Sequence, residues 1–152
     1  MVVTAGWNAF GQLGRGNMNL LAPSAVIDSG SLARKYVAIA GGGLHSLAVR
    51  ADGTVWAWGY NQLGELGDGT TTDSQTPVMV QGVTNAAFVA GGGYHSLVLG
   101  RDGDVRAWGW NGYGQLGTAP GSANLVPTAV TTIPAGTVVR GIAAGTLHSL
   151  AY

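Results

Sequence analysis

The sequence predicts an all-β fold built from four-stranded antiparallel sheets. Three observations predict it: one unit recurs three times, each unit consists of short β-branched and aromatic runs between turns, and no helical period interrupts them. Gly6-Trp7-Asn8-Ala9-Phe10-Gly11-Gln12-Leu13-Gly14 returns as Gly59-Tyr60-Asn61-Gln62-Leu63-Gly64-Glu65-Leu66-Gly67 and as Gly109-Trp110-Asn111-Gly112-Tyr113-Gly114-Gln115-Leu116-Gly117, at spacings of 53 and 50. A second block, Ala40-Gly41-Gly42-Gly43-Leu44-His45-Ser46-Leu47, returns from Ala90 to Leu97 and from Ala143 to Leu150, at spacings of 50 and 53. Between the blocks each copy places one proline before an apolar run, at Pro23, Pro77 and Pro127.

Within a unit the strands follow in order. Thr54-Val55-Trp56-Ala57-Trp58 is β-branched and aromatic and follows Asp52-Gly53, a strong hairpin signal. Tyr94 to Leu99 enters the equivalent turn, Asp102-Gly103. Val78-Met79-Val80 and Ala87-Phe88-Val89 add two runs separated by the turn-like Gln81-Gly82-Val83-Thr84-Asn85. Four strands repeated about every 50 residues read as a β-propeller blade. The expected organisation is one domain over 1–152, with repeats at approximately 2–53, 54–103 and 104–152.

Composition excludes several functions. Seven basic and seven acidic residues give zero formal charge, and charged residues are 9% of the chain against about 25% in ordinary domains. Neither a nucleic-acid groove nor a polybasic membrane patch is expected. Glycine, 27 of 152 residues, is far above its average of about 7% and fits a turn-rich folded chain. With no cysteine there is no disulfide or thiolate metal site, and the compartment stays undetermined. No signal-peptide pattern or spanning apolar run is present in the sequence, so a soluble chain is expected.

The double motif, Gly-x-Asn-x-x-Gly-Gln-Leu-Gly with Ala-Gly-Gly-x-x-His-Ser-Leu, resembles the repeat of the regulator of chromosome condensation (RCC1) superfamily across essentially the whole chain. The resemblance implies a propeller of about seven blades, within the general range of four to eight, serving as a platform for other proteins. Members include a guanine-nucleotide exchange factor acting on chromatin, ultraviolet photoreceptors, ubiquitin-ligase modules and bacterial secreted inhibitors. Fold transfers from such a resemblance; function does not.

Three blades per chain are too few to close a ring. Copy three stops at His148-Ser149-Leu150-Ala151-Tyr152, where copies one and two run on into Asp-Gly, and copy one begins at Val2-Val3-Thr4, just past that turn. Each of these segments is a strand lacking its covalent partner, so closure by oligomerisation is expected. Two chains joined through Val2, Val3, Thr4, His148, Ser149, Leu150, Ala151 and Tyr152 would give six blades with no free edge; three chains and nine blades is the next possibility.

Repeated glycines such as Gly6, Gly59 and Gly109 read as backbone requirements, and Gly41-Gly42-Gly43 lacks the helix and basic residue of a phosphate cradle. His45, His95 and His148, each before serine in an apolar strand, read as core histidines satisfied by backbone; an axial metal ring and a catalytic role are the alternatives. Asp52, Asp68, Asp73 and Asp102 sit in turn contexts, with no acid–base pair. No catalytic residue, cofactor or metal is assigned. Trp58 and Trp108 read as blade packing. Trp7, Phe10, Tyr60, Tyr94, Trp110 and Tyr113 break the repeat with large side chains beside turns, and form the expected partner-binding set, with Leu44 and Leu147 nearby.

Three functions follow from these readings. A non-catalytic interaction scaffold that binds an unidentified protein is favoured. A purely structural, engineered or excised propeller unit whose only activity is self-assembly is the second. Guanine-nucleotide exchange, by family analogy alone, is the third.

Overall fold

The structure, a computed structural model, describes residues 2–17, 24–26 and 35–152. Pro23 lies outside them. Twelve strands and no helix occur among the described residues, and none of those residues forms a helix long and apolar enough to cross a membrane. Strands β3 (Tyr36–Gly41), β4 (His45–Arg50), β5 (Val55–Gly59) and β6 (Ser74–Met79) form one antiparallel sheet in chain order. Strands β7 (Ala86–Gly91), β8 (His95–Gly100), β9 (Val105–Asn111) and β10 (Gly121–Ala129) form a second. Two strand pairs stand apart: β1 (Val3–Thr4) with β2 (Ser24–Ala25), and β11 (Ile142–Ala144) with β12 (Ser149–Ala151).

Among the described residues there are two four-stranded sheets and two separate two-stranded pairs. One expectation is corrected here. The segment Gln81 to Asn85 is a connection between blades, because β6 pairs with β5 while β7 pairs with β8. Each complete sheet therefore straddles two sequence repeats, taking β3 and β4 from the first and β5 and β6 from the second.

Local chemistry explains the strand ends. At the β4–β5 turn, Asp52 Oδ1 accepts from the Thr54 N–H at 3.0 Å and its hydroxyl at 2.7 Å, and Gly53 adopts φ of 85°. Gly59 closes β5 at φ 110°; a Cβ there would meet the Leu44 carbonyl oxygen at 2.6 Å, so no other residue fits. Pro77 and Pro127 lie in β6 and β10, outermost in their sheets, where a missing N–H leaves no ladder bond unmade. The loop after β5 is tied by Asn61, fully buried, whose Oδ1 accepts from Leu66 N–H at 2.8 Å while its Nδ2 donates to the carbonyls of Thr70 and Thr72. Asn8 and Asn111 make the same bond to Leu13 and Leu116.

The core lies between blades. Leu47, Val49, Val55, Leu66 and Val80 of the first pack with Val98 and Trp108 of the second. Trp58 and Trp108 are 1% and 0% exposed, as expected for packing residues. Each indole lies on the glycine of the preceding loop, Gly14 or Gly67, and donates from Nε1 to a loop carbonyl, Gln12 at 2.8 Å or Glu65 at 2.7 Å. Arg50 is buried with its guanidinium carbon 3.7 Å from the Trp56 ring centre.

Trp108→Ala removes a fully buried indole and a buried hydrogen bond, and is expected to cost about 3–5 kcal/mol. Urea unfolding measures it, and Trp7→Ala, which truncates a side chain 61% exposed, is expected to lie within about 1 kcal/mol of the parent.

Candidate functional site

Every residue of the expected partner-binding set lies on one continuous line of rings. Trp7 meets Phe10 at 5.6 Å between centroids, Phe10 meets Tyr60 at 5.1 Å, and Tyr60 meets Tyr94 at 6.4 Å. Tyr94 then meets Trp110 at 6.1 Å, and Trp110 meets Tyr113 at 5.3 Å. Interplanar angles run from 66° to 90°, the edge-to-face geometry that places a positive ring edge against a negative face.

The fold sets this line up by position. Tyr60 follows Gly59, which ends β5, and Trp110 follows Gly109 inside β9; their N–H groups donate to the carbonyls of Leu44 and Tyr94 in the neighbouring hairpin at 3.0 and 2.8 Å. Those bonds hold the aromatic of one block beside the turn of the other. Gly112 lets the Trp110 indole lie flat on its own loop, since a Cβ there would come within 2.4 Å of the ring. Trp7 and Tyr113, 61% and 68% exposed, stand at the two extremes of the line; Phe10, Tyr60 and Trp110 are half-buried between them, and Tyr94 is 36% exposed. The rings thus pack on one another while those at the two extremes stay exposed. Leu147, 41% exposed, and half-buried Leu44 occupy the turn positions equivalent to Tyr94.

Electrostatically the line is quiet. Burial and the carboxyls of Glu65 and Asp73 push the Tyr60 phenol above its ordinary value. Asp73 is committed to the loop, accepting from the Asn61 N–H at 2.8 Å, and Asp68 accepts from the Thr70 N–H at 3.0 Å, both in the turn roles expected of them.

The histidines depart from expectation. His45 Nε2 lies 2.9 Å from Ser96 Oγ and His95 Nε2 lies 3.0 Å from Ser149 Oγ, so each meets the serine of the next copy, and His95 also has a backbone hydrogen bond to His148. Each serine in turn donates to a loop carbonyl, Glu65 or Gln115, which leaves the imidazole as donor to the serine. That proton order is opposite to the one in which a histidine activates a serine nucleophile. Nδ1 of both rings has no partner among the described residues, and burial holds both rings down to about 4, far from a working base at neutral pH. His148 is exposed. Among the described residues no three His, Cys, Asp or Glu side chains converge as a metal site.

Comparison with known proteins places the repeat. The family model described as the regulator of chromosome condensation (RCC1) repeat matches residues 52–99 and 102–152, and a second model of that description matches 36–65 and 87–115. The ultraviolet-B receptor UVR8 of Arabidopsis thaliana is 37% identical over 80 residues, 51% of this chain and 18% of that protein. The human E3 ubiquitin-protein ligase HERC2 is 40% identical over 84 residues, 55% of this chain and 2% of that protein. Among solved structures, Prp20p of Saccharomyces cerevisiae superposes with a TM-score of 0.82 at 23% identity, over 98% of this chain and 38% of that one. Human WBSCR16 gives 0.83 at 25%, over 98% and 39%. The chain thus spans under two fifths of these structures and less of the curated relatives.

One residue beside the line was missed by sequence reasoning. Gln12 and Gln115 accept from Phe10 and Tyr113 N–H groups through Oε1, at 3.0 and 2.9 Å; in the middle copy a glutamate, Glu65, accepts from Leu63 N–H at 2.9 Å. The signal was the glutamine column itself, broken once. Glu65 is fully buried, its Oε1 has no partner among the described residues, and burial raises its carboxyl from 4.5 to about 7. The folded chain keeps this proton up to about pH 7 while the unfolded chain releases it from about 4.5, so the stability it contributes is lost as pH rises through that window. His45 and His95 act oppositely: the unfolded chain takes up their protons below about 6.5 and the folded chain only near 4, so stability is lost as pH falls between those values. Glu65→Gln is expected to melt a few degrees above the parent at pH 8, with the gap shrinking steadily to pH 4.5. A gap independent of pH would show that Glu65 titrates normally.

Proposed function

The chain belongs to the regulator of chromosome condensation (RCC1) repeat family, and on that premise we propose that it is a non-catalytic protein-interaction module. In this reading the aromatic line from Trp7 to Tyr113 receives the partner, and the two half-blades join copies of the chain into a closed ring, two copies giving six blades. The observation that carries the reading is the line itself: six rings held in mutual contact by a rigid repeat scaffold, exposed at both extremes. Aromatic side chains of this kind lose little conformational freedom on binding and dominate protein interfaces. A protein partner suits a surface with little charge, and the zero net charge of the chain gives no electrostatic hold on nucleic acid or an anionic membrane.

Relatives support the class of partner. Prp20p is described by its binding properties to Gsp1p and histones, and yeast RCC1 has been solved bound to Kap60. Guanine-nucleotide exchange has less support, since the copies differ in spacing by only three residues and carry no inserted segment able to reach a nucleotide. Self-assembly as the whole activity remains the second reading, favoured by the presence of two two-stranded pairs, β1–β2 and β11–β12, in one chain.

The test compares variants. Tyr113→Ala and Trp7→Ala truncate exposed rings and are expected to melt within a few degrees of the parent. Each is expected to weaken a true partner by about 2 kcal/mol, roughly 30-fold in Kd, measured by calorimetry on a protein captured by the parent chain and identified. Equal affinity of parent and both variants would remove the aromatic line from the binding surface, and recovery of this chain alone would favour the self-assembly reading.

A further inference from the structure

The two four-stranded sheets differ at the ends of β4 and β8, where a cluster of large side chains in one corresponds to a cavity in the other. In the first sheet Tyr36 stands opposite Arg50, and Trp56 stands opposite Ala48. The Arg50 guanidinium is enclosed there. Its carbon lies 3.7 Å from the Trp56 ring centre and 5.4 Å from that of Tyr36, and Nη2 donates to the Tyr36 hydroxyl at 3.4 Å. In the second sheet the same register puts Ala86 opposite Gly100 and Arg106 opposite Val98. Alanine, glycine and arginine therefore stand where the first sheet has tyrosine, arginine and tryptophan.

At that place the second sheet has a cavity of about 200 Å³, bounded by Ala86, Val98, Gly100, Asp102, Asp104 and Arg106 together with the 82–85 connection. It lies at the end of β8 away from Tyr94, and so apart from the aromatic line. Its lining suits a cation. Asp102 Oδ1 leans over Gly100, where a Cβ would collide with it, and accepts from the Asp104 N–H at 3.2 Å. That bond holds the Asp102 carboxyl below its ordinary value. Asp104 Oδ2 accepts from Arg106 Nε at 2.7 Å, and Arg106 Nη1 donates to the Gly82 carbonyl at 3.4 Å. Arg101 donates to the Ala51 carbonyl at 3.1 Å and does not bound the cavity. Two carboxylates thus face one guanidinium, while buried Ala86 and Val98 supply an apolar floor.

We propose that this cavity receives the arginine side chain of a bound protein, with the guanidinium between Asp102 and Asp104 and the methylene stem on Ala86 and Val98. The first sheet argues for that occupant, because the same place there holds an arginine of the chain itself. In the second sheet the two carboxylates take the part that the Trp56 ring plays for Arg50. A planar guanidinium can donate to both at once, which a compact ammonium does less well, and its stem covers apolar surface. The volume fits one side chain and falls below the range of about 300–1,000 Å³ usual for small-molecule sites. This contact is independent of the aromatic line and does not rest on it.

A short blocked peptide with one central arginine, titrated into the full chain at millimolar concentration and followed by backbone amide resonances, tests it. The Gly100, Asp102 and Arg106 amides are expected to shift together, and a citrulline peptide, of the same shape without the charge, to leave them in place. Asp102→Asn, at an exposed turn position, is expected to raise the peptide Kd about tenfold. Arg106→Trp removes the competing cation and supplies the ring on which Arg50 lies in the first sheet, and is expected to lower Kd about tenfold. Both variants are expected to melt within a few degrees of the parent. Equal shifts from the arginine and citrulline peptides, equal affinity for a lysine peptide, or no shift in the parent and Arg106→Trp alike would each overturn the proposal. Tyr113→Ala and Trp7→Ala are expected to bind the peptide as the parent does, so the outcome leaves the aromatic line untouched, and a loss of peptide binding in either would overturn the placement at this cavity.

Discussion

Each of the first two repeats within this chain makes a hydrogen bond and packs an apolar face against the repeat that follows it, and the rest of the structure depends on that handover. The His45 ring is 2% exposed with its donor aimed at Ser96, and Ser96 is itself fully buried beneath the Glu65 carbonyl. Trp108 likewise belongs by sequence to the copy after the Leu66 and Val80 it packs against. A single repeat would expose these groups to water or bury them unpaired, at a cost comparable with the whole stability of a small domain. Stability is therefore held between copies, as expected of a repeat architecture.

The same handover builds the surface. Because Tyr60 and Trp110 bond to the turns of the preceding block, successive blades bring their aromatics into one line at spacings of 5.1 to 6.4 Å. Contacts of this type contribute about 0.5–1.5 kcal/mol each beyond their buried area. They keep the rings in place before any partner arrives, which lowers the entropy lost on binding.

Much of this was legible in the sequence, and the exceptions have physical causes. Copy-to-copy identity revealed the blade, the buried role of Trp58 and Trp108, and the grouping of six aromatics, because packing forces equivalent positions alike and leaves surface positions free. The phase of the sheet was not legible: Gln81 to Asn85 has the composition of a hairpin turn, and composition does not say whether the chain returns to the same sheet or steps to the next. Nor was the partner of His45, where backbone was expected, since Ser96 lies 51 residues away. Glu65 escaped notice because glutamate and glutamine accept the same loop N–H; only burial separates them.

The closure proposed above makes the pair β1–β2 and the pair β11–β12 two parts of one blade shared between copies of the chain. The mass of the chain in solution, by light scattering across a micromolar concentration series, tests it most directly. The account predicts an assembly of twice 15.3 kDa that dissociates only on dilution, and a mass fixed at 15.3 kDa throughout would contradict it.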